Sequence, residues 1–191
     1  MYSAAVWLQH VREELGDTLD INWRYFPLDQ VNSAEGPEWK LWEQPDSHRG
    51  RGRVAFQAAS AARLQGDEAF ELFHNELLRL KHADGKDHGR PLTLKSAAET
   101  AGLDLERFEA DRVDRQHLAQ IGEDYEEATS KYGVFGTPTF VFPDGASAYL
   151  RMLPASPPED AVSTFESFVH MVRAQPFIHE IKRPTPPKPA G

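Results

Sequence analysis

The side chains able to do chemistry in this 191-residue chain are histidines, carboxylates and hydroxyls, because it contains no cysteine. Thiolate nucleophiles, disulfides and thiolate-bound metals are thereby excluded. Two of the eight histidines fall in the run His82-Ala83-Asp84-Gly85-Lys86-Asp87-His88. Imidazoles and carboxylates are metal ligands, yet this run forms no helical i, i+4 pair and no zinc or calcium loop spacing. It reads as a surface loop, and we assign no metal site. His10 and His74 lie on helical segments with no acid placed for a triad. His170 lies beside an apolar stripe and should be partly buried. No Gly-x-Ser-x-Gly elbow, phosphate loop or dinucleotide fingerprint occurs. Tyr2 and Ser3 stand at the start of the first helical segment, where the helix dipole favours an anion. No residue is assigned a catalytic role.

A second run draws attention for its geometry: Gly133-Val134-Phe135-Gly136-Thr137-Pro138-Thr139-Phe140-Val141-Phe142. Proline cannot donate a ladder hydrogen bond, so Pro138 must stand at the first position of the apolar strand that follows, or at an edge. Gly136 permits a sharp entry to it.

The elements that would position these residues follow from periodicity. Ala4, Leu8, Val11 and Leu15 mark an opening helix ended by Gly16. Asp20 to Phe26 alternates, with Ile21, Trp23 and Tyr25 on one side, and reads as a strand stopped by Pro27. Residues 28–49 read as a long connection in which Trp39 and Trp42 cap the core from a short helical turn. An alanine-rich helix over Arg53–Gly66 precedes a helix from Asp67 with Phe70, Phe73, Leu77 and Leu80 inward. Thr93 is expected to cap a helix through Ala101, and Asp104 begins another turn. Leu118, Ile121, Tyr125, Ala128 and Tyr132 mark a longer helix ending at Gly133. Thr139–Phe142 and Ala146–Met152 form a hairpin about Pro143-Asp144-Gly145. Ser156-Pro157-Pro158-Glu159 has the pattern of a capping box, opening a helix that buries Val162, Phe165, Val169 and Val172. Residues 175–191 read as a proline-rich, basic tail.

The Gly133–Phe142 run resembles the cis-proline loop of the DsbA-like branch of the thioredoxin superfamily. That branch includes FrnE-type proteins, kappa-class glutathione transferases and 2-hydroxychromene-2-carboxylate isomerases. The opening Met1-Tyr2-Ser3-Ala4-Ala5-Val6-Trp7-Leu8 looks like the residues that follow the family's Cys-Pro-x-Cys motif. The resemblance implies an α/β fold: a thioredoxin-like core over 1–27 and 133–174, a helical insertion over 50–132, and the tail over 175–191. It also implies that the core's first strand and the redox motif would stand before Met1, so we expect either a start assigned too late or another strand in that slot. Gly136, Thr137 and Pro138, with Tyr2 and Ser3, are the substrate-binding residues it implies, Thr137 through its backbone groups. In the serine-using members a hydroxyl bonds the glutathione thiolate, but Ser3 falls about one turn past that place.

The function implied is that of a thiol-disulfide oxidoreductase family protein without its cysteines, inactive in dithiol exchange. The alternatives are a glutathione-dependent isomerase or transferase of the kappa type and a non-catalytic peptide- or thiol-binding module. No cofactor is required, though glutathione or a related thiol fits the resemblance. The partners are accordingly a thiol compound or an extended peptide. A net charge of −9 and a pI near 5.3 argue against nucleic acid. No apolar run reaches the roughly 18 residues of a membrane span and no signal peptide is visible, so a cytoplasmic protein is expected. A homodimer through the alanine-rich helix or through unpaired strand edges is compatible with the sequence.

Overall fold

Residues 1–36, 38–48 and 50–184 are described by the computed structural model; the rest of the proline-rich tail, 185–191, lies outside the described residues. Helix α1 (Tyr2–Leu15) buries Ala4, Ala5, Trp7, Leu8 and Val11. It stops at Gly16, whose φ of 52° lets its N–H reach the Arg12 carbonyl.

The next stretch departs from the strand expected over Asp20–Phe26. Ile21, Trp23 and Tyr25 do turn inward while Asn22 and Arg24 face solvent, yet the segment joins no ladder among the described residues. Side chains hold its backbone instead. The Tyr25 N–H donates to the Asp124 carboxylate at 2.9 Å, and the Trp23 carbonyl accepts from Arg63 at 3.0 Å. Alternation reports which face is buried, not which strand lies alongside.

The connection that follows contains helix α2 (Leu28–Val31) and a 3-10 turn over Leu41–Glu43. Its end is organised by the buried Arg53, which donates to the carbonyls of Gln44, Pro45 and His48 and to the Asp46 carboxylate. Trp42 lies on that turn, packed on Tyr125 and pressed over Gly122, where a Cβ would come within 2.7 Å of the indole. Trp39 precedes the turn and packs on His48.

Five helices form a unit of their own: α3 (Arg51–Arg63), α4 (Asp67–His82), α5 (Pro91–Thr100), α6 (Leu105–Asp111) and α7 (Gln116–Tyr132). Ala55, Ala58, Ala59, Ala61 and Ala62 are buried, and they share one core with Phe70, Phe73, Leu77 and Leu80 of α4. The alanine face is therefore covered within its own chain. Pro91 occupies the first turn of α5, so Thr93 sits inside that turn instead of capping it. Asp104 caps α6 by accepting from the Arg107 N–H at 3.1 Å, and Gly133 closes α7 with φ 63°.

Strands β1 (Thr139–Val141) and β2 (Ser147–Tyr149) pair antiparallel with Phe140 opposite Ala148. Phe140, Phe142, Ala148 and Leu150 turn into a second core with Trp7, Leu8 and Val11 of α1 and Phe168 of α8 (Ala161–Ala174). The capping box at Ser156 does not form. Pro157 and Pro158 lead into a 3-10 turn over Pro158–Asp160, Asp160 takes the N-cap place, and the Ser156 hydroxyl has no partner. On α8 the inward residues are Ala161, Phe165, Phe168, Met171 and Val172, while Val162 and Val169 stay outside that core and His170 is exposed. The ring cluster around Trp7 takes the phenylalanines, which rotates the buried stripe away from the expected one.

Two measurements test this packing. Asp124, buried on α7, accepts from the Tyr25 N–H, from Gln120 at 2.9 Å and from Arg24 at 3.2 Å. Asp124→Ala orphans the Tyr25 N–H and should cost about 2–4 kcal/mol in urea denaturation; a loss near zero would show that the segment is held by its side chains alone. His74 lies between the rings of Trp23 and Phe70, and its Nε2 has neither exposure nor a partner. Burial, and then the nearby Arg63, push its imidazole down from 6.5 to about 4. The unfolded chain thus binds a proton that the folded one refuses. Stability contributed by the neutral ring is complete above pH 6.5 and is lost as pH falls to about 4, by roughly 2–3 kcal/mol. The difference between wild type and His74→Phe should follow that window and be flat above it.

Candidate ligand-binding site

Three elements meet at Trp7. Its ring is wholly buried and meets Phe140 of β1 at 6.0 Å and Phe168 of α8 at 6.2 Å, both edge-on. Its Nε1–H donates to the Ala161 carbonyl at 3.0 Å. A buried indole needs such a partner, so the depth of α1 against α8 is fixed by one bond. Phe140 then carries the loop Gly136-Thr137-Pro138 with it, since Pro138 stands two residues before.

The Thr137–Pro138 bond is cis, as is Leu153–Pro154. The Leu150 N–H donates to the Pro138 carbonyl at 3.1 Å, and the Thr139 hydroxyl donates to the Gly136 carbonyl at 2.8 Å. Neither the N–H nor the C=O of Thr137 is engaged by another described residue. Tyr149 covers Gly136, and its ring packs on the exposed Phe135 at 5.2 Å.

The start of α1 lies beside this loop. Arg151, next after Leu150, acts on the charge at Met1: burial first, then Arg151 and Lys81, hold that amino group below its ordinary pKa. Tyr2 stacks on His82 at 5.7 Å with the rings 12° apart, which joins the first turn of α1 to the last turn of α4. Ser3 is half-buried in the same turn, and no described residue bonds its hydroxyl, so nothing activates it. Gly136, Thr137 and Pro138 thus stand in the loop before β1 and Tyr2 and Ser3 in the first turn of α1, with no hydrogen bond between the two sets among the described residues.

What the sequence did not single out is the charge around them. Arg151 and Lys81 act on the charge at Met1, and Arg51, Lys81 and His88 act on one another from α3, α4 and the loop after it. The available signal was the density of bases over 48–53 and 79–90. A separate shallow dent of about 370 Å³ lies along α8, next to the Arg173–Asp144 pair at the hairpin turn rather than at Thr137.

A family model for the DSBA-like thioredoxin domain matches residues 2–167. The chain belongs to the DSBA-like thioredoxin family. This DSBA-like chain is also 24% identical over 186 residues to an uncharacterized protein of Mycobacterium tuberculosis, Rv2286c, across 97% of this chain and 77% of that one. The described part of the family's α/β fold is mostly helical with a two-stranded sheet. No helix of the described residues is long and apolar enough to cross a membrane.

Replacing Trp7 tests the geometry of the DSBA-like groove. Trp7→Phe removes the bond to Ala161 and part of the ring packing, and should cost about 1–2 kcal/mol. Amide hydrogen exchange at Thr139–Val141 should accelerate with it; unchanged exchange there would uncouple the loop from α1.

Proposed function

We propose that this chain binds a small thiol compound or an extended peptide between the Thr137-Pro138 loop and the start of α1, and does not itself carry out dithiol exchange. The observation that supports this reading is the cis Thr137–Pro138 bond with both backbone groups of Thr137 unengaged among the described residues. An extended ligand can pair with one free N–H and one free C=O as a strand pairs with its neighbour. Tyr2, Ser3 and Gly136 line the same groove, Gly136 letting the chain pass closely beneath Tyr149. Disulfide exchange needs a thiolate, and the chain supplies none.

Glutathione is at once a thiol and a short extended peptide, which makes it the probe of choice. At about 100 times its Kd a ligand adds about 2.7 kcal/mol to stability, an upward Tm shift of roughly 5–10 °C for a chain of this size. Reduced glutathione should produce such a shift, and Thr137→Trp, which fills the groove, should abolish it without lowering the Tm of the free protein by more than a few degrees. Insulin reduction by the chain should be undetectable. A Tm unmoved by glutathione and by unrelated extended peptides alike would overturn the binding reading; measurable insulin reduction would overturn the other half.

A further inference from the structure

Strand β1 has one edge with no neighbour among the described residues. Its pairing with β2 runs through alternate residues. Phe140 stands opposite Ala148, the Leu150 N–H donates to the Pro138 carbonyl, and the Phe142 N–H donates to the Ala146 carbonyl at 2.8 Å. In an antiparallel ladder the residues between such bonded pairs turn their peptide groups the other way. Thr139 and Val141 therefore present their N–H and C=O groups at the opposite edge, where no described residue engages them.

The side chains along this edge are as open as its backbone. Phe140, Phe142, Ala148 and Leu150 face the core around Trp7 yet are only partly buried, whereas most of the core of the helical unit is fully buried. On the outer face Val141, Tyr149 and Phe135 are exposed. No residue from Gly133 to Pro143 carries a charge. Sheet edges are ordinarily blunted by a lysine, a bulge or a covering element. Here Pro138 and Pro143 bound the strip, and the N–H groups at Thr139 and Val141 remain between them.

The strip is its own complement. Turned about a two-fold axis at Phe140, Thr139 of one copy meets Val141 of the other, and each such pair can exchange both of its N–H···O=C bonds. A slip of one residue would set these groups against peptide groups already used by β2. In this register Phe140 faces Phe140 of the second copy, which continues the row from Ala148 across the contact. On the outer face Tyr149 and Thr139 fall in one row with Val141 of the second copy.

We propose that the β1 edge is the surface through which two copies of this chain associate, joining their hairpins into one antiparallel sheet. The proposal goes beyond the ligand reading and does not depend on it, since the Thr137 groups stand outside the ladder. Each copy has a net charge of −9, so the copies repel at a distance while the contact itself holds no charge. Salt screens that repulsion and should strengthen the association, the opposite of its effect on an ion-paired interface.

Sedimentation equilibrium on the full chain should show monomer and dimer, with the dimer favoured as salt rises. Val141→Pro removes one N–H from the edge of each copy and none from the β1–β2 ladder. It should weaken the dimer about 10-fold or more while the far-UV spectrum is unchanged. Ser147→Pro, the matched change on the outer edge of β2, should leave the dimer as it is. Amide exchange at Thr139 and Val141 should slow with rising protein concentration, and that at Phe140 should not. A chain still monomeric at about 100 µM overturns the proposal. So does a dimer that Val141→Pro retains, that Ser147→Pro abolishes or that salt dissociates. Protection of Thr139 and Val141 by an added extended peptide, in a chain that stays monomeric, also overturns it and gives the edge to another polypeptide. Should Val141→Pro alter the spectrum, the concentration dependence of the Thr139 and Val141 amides in the wild-type chain decides alone.

Discussion

One buried ring fastens the parts from which the groove is made. Trp7 lies at the middle of α1, and its faces and edges are taken by Phe140 from the hairpin and by Phe165 and Phe168 from α8. Apolar packing alone would let α1 slide against these neighbours, because dispersion is only weakly directional. The bond from Nε1 to the Ala161 carbonyl removes that freedom: any axial displacement orphans a buried donor. The position of Tyr2, one and a half turns earlier, is therefore inherited from a contact in the core. So is the position of Pro138, two residues before Phe140.

The helical unit is attached to this core by ionic groups where a sheet would use its backbone. Asp124 receives the Tyr25 N–H from inside the protein, and Arg24 and Gln120 compensate its charge. Arg63 holds the Trp23 carbonyl from the other side and lies over the Phe70 ring at 4.0 Å. Arg53 closes the 44–48 loop in the same manner. Buried charges are stabilising only when their hydrogen bonds are complete; Asp124 and Arg53 come near that condition, whereas the buried Arg63 Nε has no partner among the described residues. The 20–26 segment can stay extended without a lateral partner because Asp124 and Arg63 satisfy two of its peptide groups.

Much of this was legible in the sequence, and the part that was not has identifiable causes. The helices from α3 to α7 follow from apolar spacing and from Gly102 and Gly133 as stops, because periodicity records burial directly. The hairpin follows from Pro138 and the Pro143-Asp144-Gly145 turn. The Asp20–Phe26 pattern gave the correct inward residues and a ladder that does not form, since the hydrogen-bond partner of a strand is a tertiary fact. Ser156 failed as a cap because two prolines impose a 3-10 turn first. The special geometry at Pro138 and the helix start at Tyr2 were legible as local structure. The nearness of Arg51, Lys81 and His88 was not, because α3, α4 and the loop after α4 meet only through the fold. His82 was noticed for metal-ligand chemistry, whereas its ring is a stacking partner for Tyr2.

The absence of a cysteine changes what the charges at the start of α1 can do. Where a thiolate sits at a helix N-terminus, the positive end of the dipole and neighbouring bases are spent on holding the sulfur ionised. In this chain no cysteine stands in the first turn of α1, and Arg151 and Lys81 form no ion pair among the described residues. Elsewhere the net negative chain surrounds its bases with carboxylates, and the long-range field of the molecule repels anions. An anion is therefore disfavoured at a distance, and only charges within a Debye length, about 8 Å at physiological salt, act against that repulsion.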